Sequence, residues 1–121
     1  MRVLITGGAG YIGTHTMLEV LGAGHEVCVI DNFSNSSPEA LERVKTLSNR
    51  SFGFHNADLR DRETLTEHLK DFEPDAVIHF AGLKAVGESV EKPLEYYENN
   101  VQGTINLLQA VKAADCQNIV F

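Results

Sequence analysis

Only two cysteines occur in the chain of 121 residues, Cys28 in an apolar run and Cys116 near a helix end. That is no disulfide framework, and it reads as two free thiols in a cytoplasmic protein. Basic residues are scarce as well, 10 Lys and Arg against 17 Asp and Glu, for a net charge of -7. Nucleic acid is therefore excluded as a partner, because its phosphates demand a basic face. An anionic nucleotide is not excluded, since a pocket is able to be locally positive inside an acidic protein. No apolar run approaches the roughly 20 residues that span a bilayer, so no membrane partner is expected. The start M-R-V-L-I-T-G-G has one basic residue and too short an apolar run for a signal peptide. His15, His25, His55, His68 and His79 show no ligand spacing with Cys, Asp or Glu, so no metal site is expected. Internal repeats, low-complexity tracts, linkers and hairpin signals are also missing. What is present is 43% apolar and 22% charged, the make-up of a globular chain long enough for one domain.

Periodicity divides the chain into alternating elements. Arg2–Thr6 is a buried strand closed by glycines, followed by a helix over Tyr11–Ala23 that Gly24 stops. Glu26–Ile30 is a second strand and Asp31–Ser37 a polar loop. Ser37 caps a helix that Pro38 opens, with Leu41, Val44 and Leu47 on its apolar face. Ser51–His55 is a weak third strand. Asp61 caps a helix carrying Leu65, Leu69 and Phe72, which Pro74 ends. Asp75–Phe80 is a fourth strand and leads into a Gly-containing loop. Pro93 opens a long helix with Leu94, Tyr97, Val101, Ile105, Leu108 and Val111 on one side, and Asn118–Phe121 starts a fifth strand. Such alternation predicts an α/β fold: a Rossmann-type, doubly wound parallel sheet of five strands in the order 3-2-1-4-5. The ligand belongs at the switch point between strands 1 and 4, outside their carboxyl ends.

The strongest motif is Thr6-Gly7-Gly8-Ala9-Gly10-Tyr11-Ile12-Gly13, which fits G-x-x-G-x-x-G from Gly7 and G-x-G-x-x-G from Gly8. Glycine clusters alone are weak evidence. Here the cluster follows a strand, opens a helix and is answered by Asp31 at the end of the next strand. Gly7 permits the tight turn, Gly10 lets a pyrophosphate approach the backbone, and Gly13 lets the helix pack on the strand. The N–H groups of Tyr11 and Ile12 face the phosphates from the positive end of the helix dipole. Asp31 is the candidate ribose sensor. With no Lys or Arg from Asp31 to Ser37 to offset repulsion of a 2′-phosphate, NAD is favoured over NADP. Asn32, Asn35 and Ser36 are either further partners at this end or ordinary turn formers.

The remaining candidates carry less from spacing alone. Asp58 either accepts from an adenine amino group, with Leu59 N–H donating to the ring, or starts the turn before Asp61. Phe80, Ala81 and Gly82 are small enough as a run for a cofactor to cross the sheet edge. Lys84 is the one cation close behind, although a lone loop lysine is more often solvated. Asn99, among polar residues of the long helix, is usually inert in such a place.

Together T-G-G-A-G-Y-I-G, D-N-F-S-N-S (Asp31–Ser36), D-L-R-D (Asp58–Asp61), H-F-A-G-L-K-A-V-G-E-S (His79–Ser89) and P-L-E-Y-Y-E-N-N-V-Q-G-T (Pro93–Thr104) resemble the extended short-chain dehydrogenase/reductases. Within them they resemble the branch that interconverts UDP-galactose and UDP-glucose through a 4-keto sugar, an isomerase of galactose metabolism. The resemblance implies NAD contacts from Gly7, Gly10, Tyr11, Ile12, Gly13, Asp31, Asn32, Phe33, Ser34, Asn35, Ser36, Asp58, Leu59, Phe80, Ala81, Gly82, Lys84 and Asn99. It implies a UDP-hexose substrate near Lys84, Ala85 and Val86, and a homodimer for the full-length enzyme. It also implies a Ser or Thr and a Tyr-x-x-x-Lys that remove the C4 hydroxyl proton. The chain departs from the family there. Four residues beyond Tyr11, Tyr96 and Tyr97 stand His15, Asn100 and Val101, none of them lysine. No catalytic residue is therefore expected in this chain, which reads as a partial NAD-binding domain over residues 1–121, cut in strand 5 before the substrate domain and inactive alone. A different nucleotide-sugar-modifying member of the group and a non-catalytic NAD-sensing module are the competing readings.

Overall fold

The computed structural model describes all residues, Met1–Phe121. Its elements are β1 (Arg2–Thr6), α1 (Tyr11–Gly22), β2 (Glu26–Asp31), α2 (Pro38–Ser48), β3 (Gly53–Asn56), α3 (Arg62–Phe72), β4 (Ala76–His79), α4 (Val86–Glu91), α5 (Pro93–Tyr96), a π-helical segment (Tyr97–Gln102), α6 (Gly103–Ala113) and β5 (Ile119–Val120). The five strands are all parallel, in the order β3-β2-β1-β4-β5. Alternation along the strands builds two cores. Val3, Ile5, Val27 and Val29 face Met17, Leu21, Leu41 and Val44 of α1 and α2, whereas Leu4, Ile30 and Val77 face Leu65 and Leu69 of α3 and Leu107, Ala110 and Val111 of α6. Caps form where the sequence places them. Ser37 Oγ accepts from Glu39 N–H, and Asp61 accepts from Thr64 N–H.

Several expectations need correction. β2 runs one residue further, so that Asp31 is its last residue. β3 covers Gly53–Asn56, set by pairing with Cys28–Asp31, rather than Ser51–His55. β4 and β5 are shorter than expected. The loop after β4 contains α4, a two-turn helix that buries no side chain. On α2, Leu47 points to solvent, 73% exposed, because the buried face runs through Leu41 and Val44.

The long helix departs most. It is interrupted by the π-helical segment, and its large apolar side faces outward: Leu94, Tyr97, Val101, Ile105 and Leu108 are all exposed, and of that set only Val111 is buried. The buried side is Gly103, Asn106, Leu107, Ala110 and Val111. Small residues decide this. A Cβ on Gly103 would stand 3.0 Å from Leu59 Cβ, so the glycine lets α6 approach the segment after β3. Buried Asn106 then donates to the carbonyls of Leu59 and Arg60 at 2.9 and 3.2 Å, tying α6 to that segment.

Candidate functional site

A crevice of about 280 Å³ opens at the carboxyl ends of β1, β2 and β4. The β1–α1 turn forms its floor. Gly7 has φ +67°, and an ideal Cβ there would lie 2.6 Å from the Ala81 backbone nitrogen. A Cβ on Gly13 would overlap the Gly7 carbonyl oxygen and stand 2.7 Å from Gly8 Cα. Gly8 is close-packed as well, against the Val29 side chain at 2.7 Å. The first helical bond of α1 is Thr14 N–H to Gly10 C=O, so the N–H groups of Tyr11 and Ile12 precede the ladder and are left to the crevice.

Asp31 is buried, 8% exposed. Its Oδ2 accepts from Ala9 N–H at 3.0 Å, and its Oδ1 accepts from Phe33 N–H and Ser36 Oγ at 2.9 Å each. The carboxylate therefore pins the glycine turn to the Asp31–Ser36 loop, and three of its roughly four acceptor positions are filled. One acceptor position is left for a further donor; a second is freed only if Ser36 turns away. Phe33 holds φ +54° and rests its ring on Phe54, centroids 5.1 Å apart.

The crevice brings together Gly7, Gly10, Tyr11, Ile12, Gly13, Asp31, Asn32, Ser34, Asn35, Leu59, Phe80, Ala81, Gly82, Lys84 and Asn99, all expected from sequence. It adds Ile30, Ala57 and Leu83 to them. Phe33, Ser36 and Asp58 do not line it, and neither do exposed Ala85 and Val86. Asp58 accepts from Arg60 N, Nε and Nη2 at 2.9, 2.9 and 2.7 Å and from Asn32 Nδ2 at 2.8 Å. The hydrogen bonds from the Arg60 guanidinium hold its carboxyl well below the usual carboxylate range. All its lone pairs are engaged, so any further donor has to displace Asn32 or Arg60. Asn99 donates to Asn100 Oδ1 at 3.0 Å and lines the crevice, a placement that helix periodicity does not reveal.

His79 lies beneath the crevice with both ring nitrogens engaged by threonine hydroxyls. His79 Nδ1 lies 2.6 Å from Thr6 Oγ1, and Nε2 lies 3.1 Å from Thr104 Oγ1. Ala81 N–H donates to Thr6 Oγ1 at 3.4 Å. The buried Thr6 hydroxyl hydrogen then has His79 Nδ1 as its acceptor, which assigns His79 the neutral Nε2–H tautomer. The imidazole thus joins β1, β4 and α6 beneath the crevice. Burial, then the Lys84 charge, push the His79 pKa below its ordinary value of 6.5. His55, stacked on His68 at 3.8 Å, is lowered too, by burial and then by His68. For both, the unfolded chain takes up protons before the folded one. The stability these two groups contribute is therefore fully present above pH of about 6.5 and is lost as pH falls below it. The midpoint of urea unfolding is expected to be lower at pH of about 5.5 than at about 7.5, and more nearly equal in His55→Phe, which keeps the stack without the proton. Equal midpoints in the unaltered chain would contradict this.

Comparison with known proteins follows the same lines. Residues 4–121 match the family described as GDP-mannose 4,6 dehydratase. The UDP-glucose 4-epimerase of Haemophilus influenzae is 54% identical over 121 residues, covering 100% of this chain and 36% of that protein. A UDP-glucose 4-epimerase sequence from Klebsiella pneumoniae is 51% identical, covering 100% of this chain and 87% of that one. Among solved structures, UDP-glucose 4-epimerase from Bifidobacterium longum in complex with NAD+ and UDP superposes with a TM-score of 0.97 at 47% identity, covering 100% of this chain and 36% of that chain. The enzyme from Stenotrophomonas maltophila, with bound NAD and formylated UDP-arabinopyranose, gives 0.97 at 43% identity with the same coverage. The chain thus spans about a third of the length of most curated relatives it matches.

Proposed function

The chain belongs to the GDP-mannose 4,6 dehydratase family and groups there with the UDP-glucose 4-epimerases, and from that premise we propose that it is the NAD-binding N-terminal part of an enzyme that interconverts UDP-galactose and UDP-glucose. The observation that carries the reading is identity of 51% to 54% with UDP-glucose 4-epimerases along the whole chain. The crevice supports it, because its glycines and its acid fit a dinucleotide. Backbone approach to a pyrophosphate needs a floor without side chains, which Gly7, Gly10 and Gly13 provide. Tyr11 and Ile12 N–H groups receive the phosphates. Asp31 and its loop, Asn32 to Ser36, take the adenosine ribose and repel a 2′-phosphate. Asp58 and Leu59 lie toward the adenine. Phe80, Ala81, Gly82, Lys84 and Asn99 border the nicotinamide half, with Lys84, Ala85 and Val86 toward the sugar. NAD, when bound, supplies hydride acceptance and return, so the hexose C4 is oxidised to a 4-keto sugar and re-reduced without net redox change.

These residues orient; they do not remove the C4 hydroxyl proton, since no Tyr-x-x-x-Lys occurs among them. Residues 1–121 are thus proposed as part of an NAD-binding domain in a cytoplasmic enzyme of galactose metabolism, where buried free thiols at Cys28 and Cys116 are at home. The full-length enzyme is proposed to be a homodimer, and the exposed stripe of Leu94, Tyr97, Val101, Ile105 and Leu108 supports a face for a second copy. A chimera of this chain with the remaining residues of the Haemophilus influenzae relative tests all of this. It is expected to convert UDP-galactose to UDP-glucose and to sediment as a dimer that Val101→Glu weakens, whereas the chain alone is expected to give no turnover above a protein-free control. A chimera that folds and holds NAD but leaves UDP-galactose unchanged would contradict the proposal.

A further inference from the structure

Phe80 and Ala81 anchor the start of the segment between β4 and α4 on the two cores, but from Lys84 on it has no hydrophobic reason to hold its shape. Neither α4 nor α5 buries a side chain, and Lys84, Ala85 and Val86 are exposed. Two polar side chains hold it instead. Asn100 Oδ1 accepts from Leu83 N–H at 2.8 Å, and Asn100 Nδ2 donates to Leu83 C=O at 2.8 Å. Four residues earlier, the Tyr96 hydroxyl accepts from Ala85 N–H at 3.1 Å and lies 3.0 Å from Ala85 C=O. Its one proton is shared between that carbonyl and Glu88 Oε2 at 2.9 Å, and Lys92 holds Glu88 from the other side at 3.5 Å. Alternate residues of the segment are thus gripped at both backbone groups, as a neighbouring strand would grip them.

The residue between the two grips is Lys84. Its ammonium turns back toward the Phe80 carbonyl at 3.4 Å and lines the crevice. The π-helical segment begins directly after Tyr96 and contains Asn99 and Asn100. Its wider turn sets Asn100 against Leu83 while Asn99 lines the crevice. π-bulges recur at functional sites for this reason: one extra residue per turn redirects a face.

We propose that Tyr96 and Asn100 are positioning residues, a two-side-chain clamp on Leu83 and Ala85 that sets where the Lys84 ammonium stands in the crevice and so tunes its grip on an anionic dinucleotide. The inference rests on the cofactor reading above. Neither residue touches the ligand: Tyr96 acts through Lys84, and Asn100 acts through Lys84 and also holds Asn99 Nδ2, which lines the crevice. Amide hydrogen exchange and calorimetric titration with NAD test it in Tyr96→Phe, Asn100→Leu and Asn100→Asp, the last keeping size and the bond from Leu83 N–H. Exchange at Leu83 is expected to accelerate at least about tenfold in Asn100→Leu, and exchange at Ala85 likewise in Tyr96→Phe, with core amides unchanged. NAD affinity is expected to fall about tenfold in Tyr96→Phe and Asn100→Leu, and by less than about twofold when Tyr96→Phe is made in a Lys84→Met background. A loss of the same size in both backgrounds, or variants that bind NAD as the unaltered chain does, would overturn the proposal. So would unchanged exchange at Leu83 and Ala85. Failure of the unaltered chain to bind NAD would instead overturn the cofactor reading, leaving the exchange rates to decide the clamp.

Discussion

Alanine at Gly7 is expected to abolish measurable NAD binding and to lower stability by roughly 2–4 kcal/mol. Two costs combine there. The backbone sits at φ +67°, where a Cβ is strained, and the added carbon would meet Ala81 N at 2.6 Å, Ala81 Cα at 2.8 Å and Phe80 C at 2.9 Å. All three are backbone atoms of the segment leaving β4, so no side chain is able to swing aside. The β1–α1 turn and the β4 end have to part, and both line the crevice. Gly13→Ala is expected to behave similarly, because its Cβ would meet the Gly7 carbonyl and Gly8 backbone. Gly22→Ala is the control: nothing lies within 4 Å of its Cβ position, and a helical glycine replaced by alanine leaves stability unchanged or raises it by up to about 1 kcal/mol. Urea unfolding and titration calorimetry on the three variants check the ordering. A Gly7→Ala chain as stable and as avid as Gly22→Ala would contradict the floor described here.

The second large effect is expected at Asp31. Removing its carboxylate in Asp31→Ala leaves the N–H groups of Ala9 and Phe33 and the Ser36 hydroxyl without their acceptor, in a place only 8% exposed. Each buried donor left unpaired costs about 1–3 kcal/mol. NAD affinity is expected to fall by about 1–3 kcal/mol, and stability to fall with it. Asp31→Asn is expected to recover little. An amide has one oxygen, while donors approach Asp31 on both, so its NH2 would face a donor. Affinity unchanged in Asp31→Ala would show that the acid shapes the loop and does nothing for the ligand.

How much of this was legible in the sequence depends on the physics that sets each part. The stretch from β1 through Asp31 was readable because backbone geometry dictates it: only glycine suits the φ of Gly7 and the packing at Gly13, and an acid at the end of β2 lies beside them through the parallel register. The parallel sheet followed from alternation, and its order from the Rossmann-type reading of that alternation. The outward face of the long helix was misread because large apolar residues were taken as buried, whereas α6 approaches through Gly103, Asn106 and Ala110. Periodicity also assumes 3.6 residues per turn, and the π-helical segment breaks that assumption at Asn99 and Asn100. At Asp58 the turn alternative forms, its side chain accepting from Arg60 N–H and its carbonyl from Asp61 N–H, a local arrangement, whereas the bond from Asn32 is a tertiary fact. The Tyr96 and Asn100 clamp joins a loop to a helix and has no local signature.

Titration calorimetry of the unaltered chain with NAD and with NADP tests the cofactor crevice most directly. NAD is expected to bind at one site and NADP distinctly more weakly, because the buried Asp31 carboxylate meets the 2′-phosphate with no Lys or Arg from Asp31 to Ser37 to offset it. NADP binding as tight as NAD, or no binding of either, would contradict the assignment of this crevice.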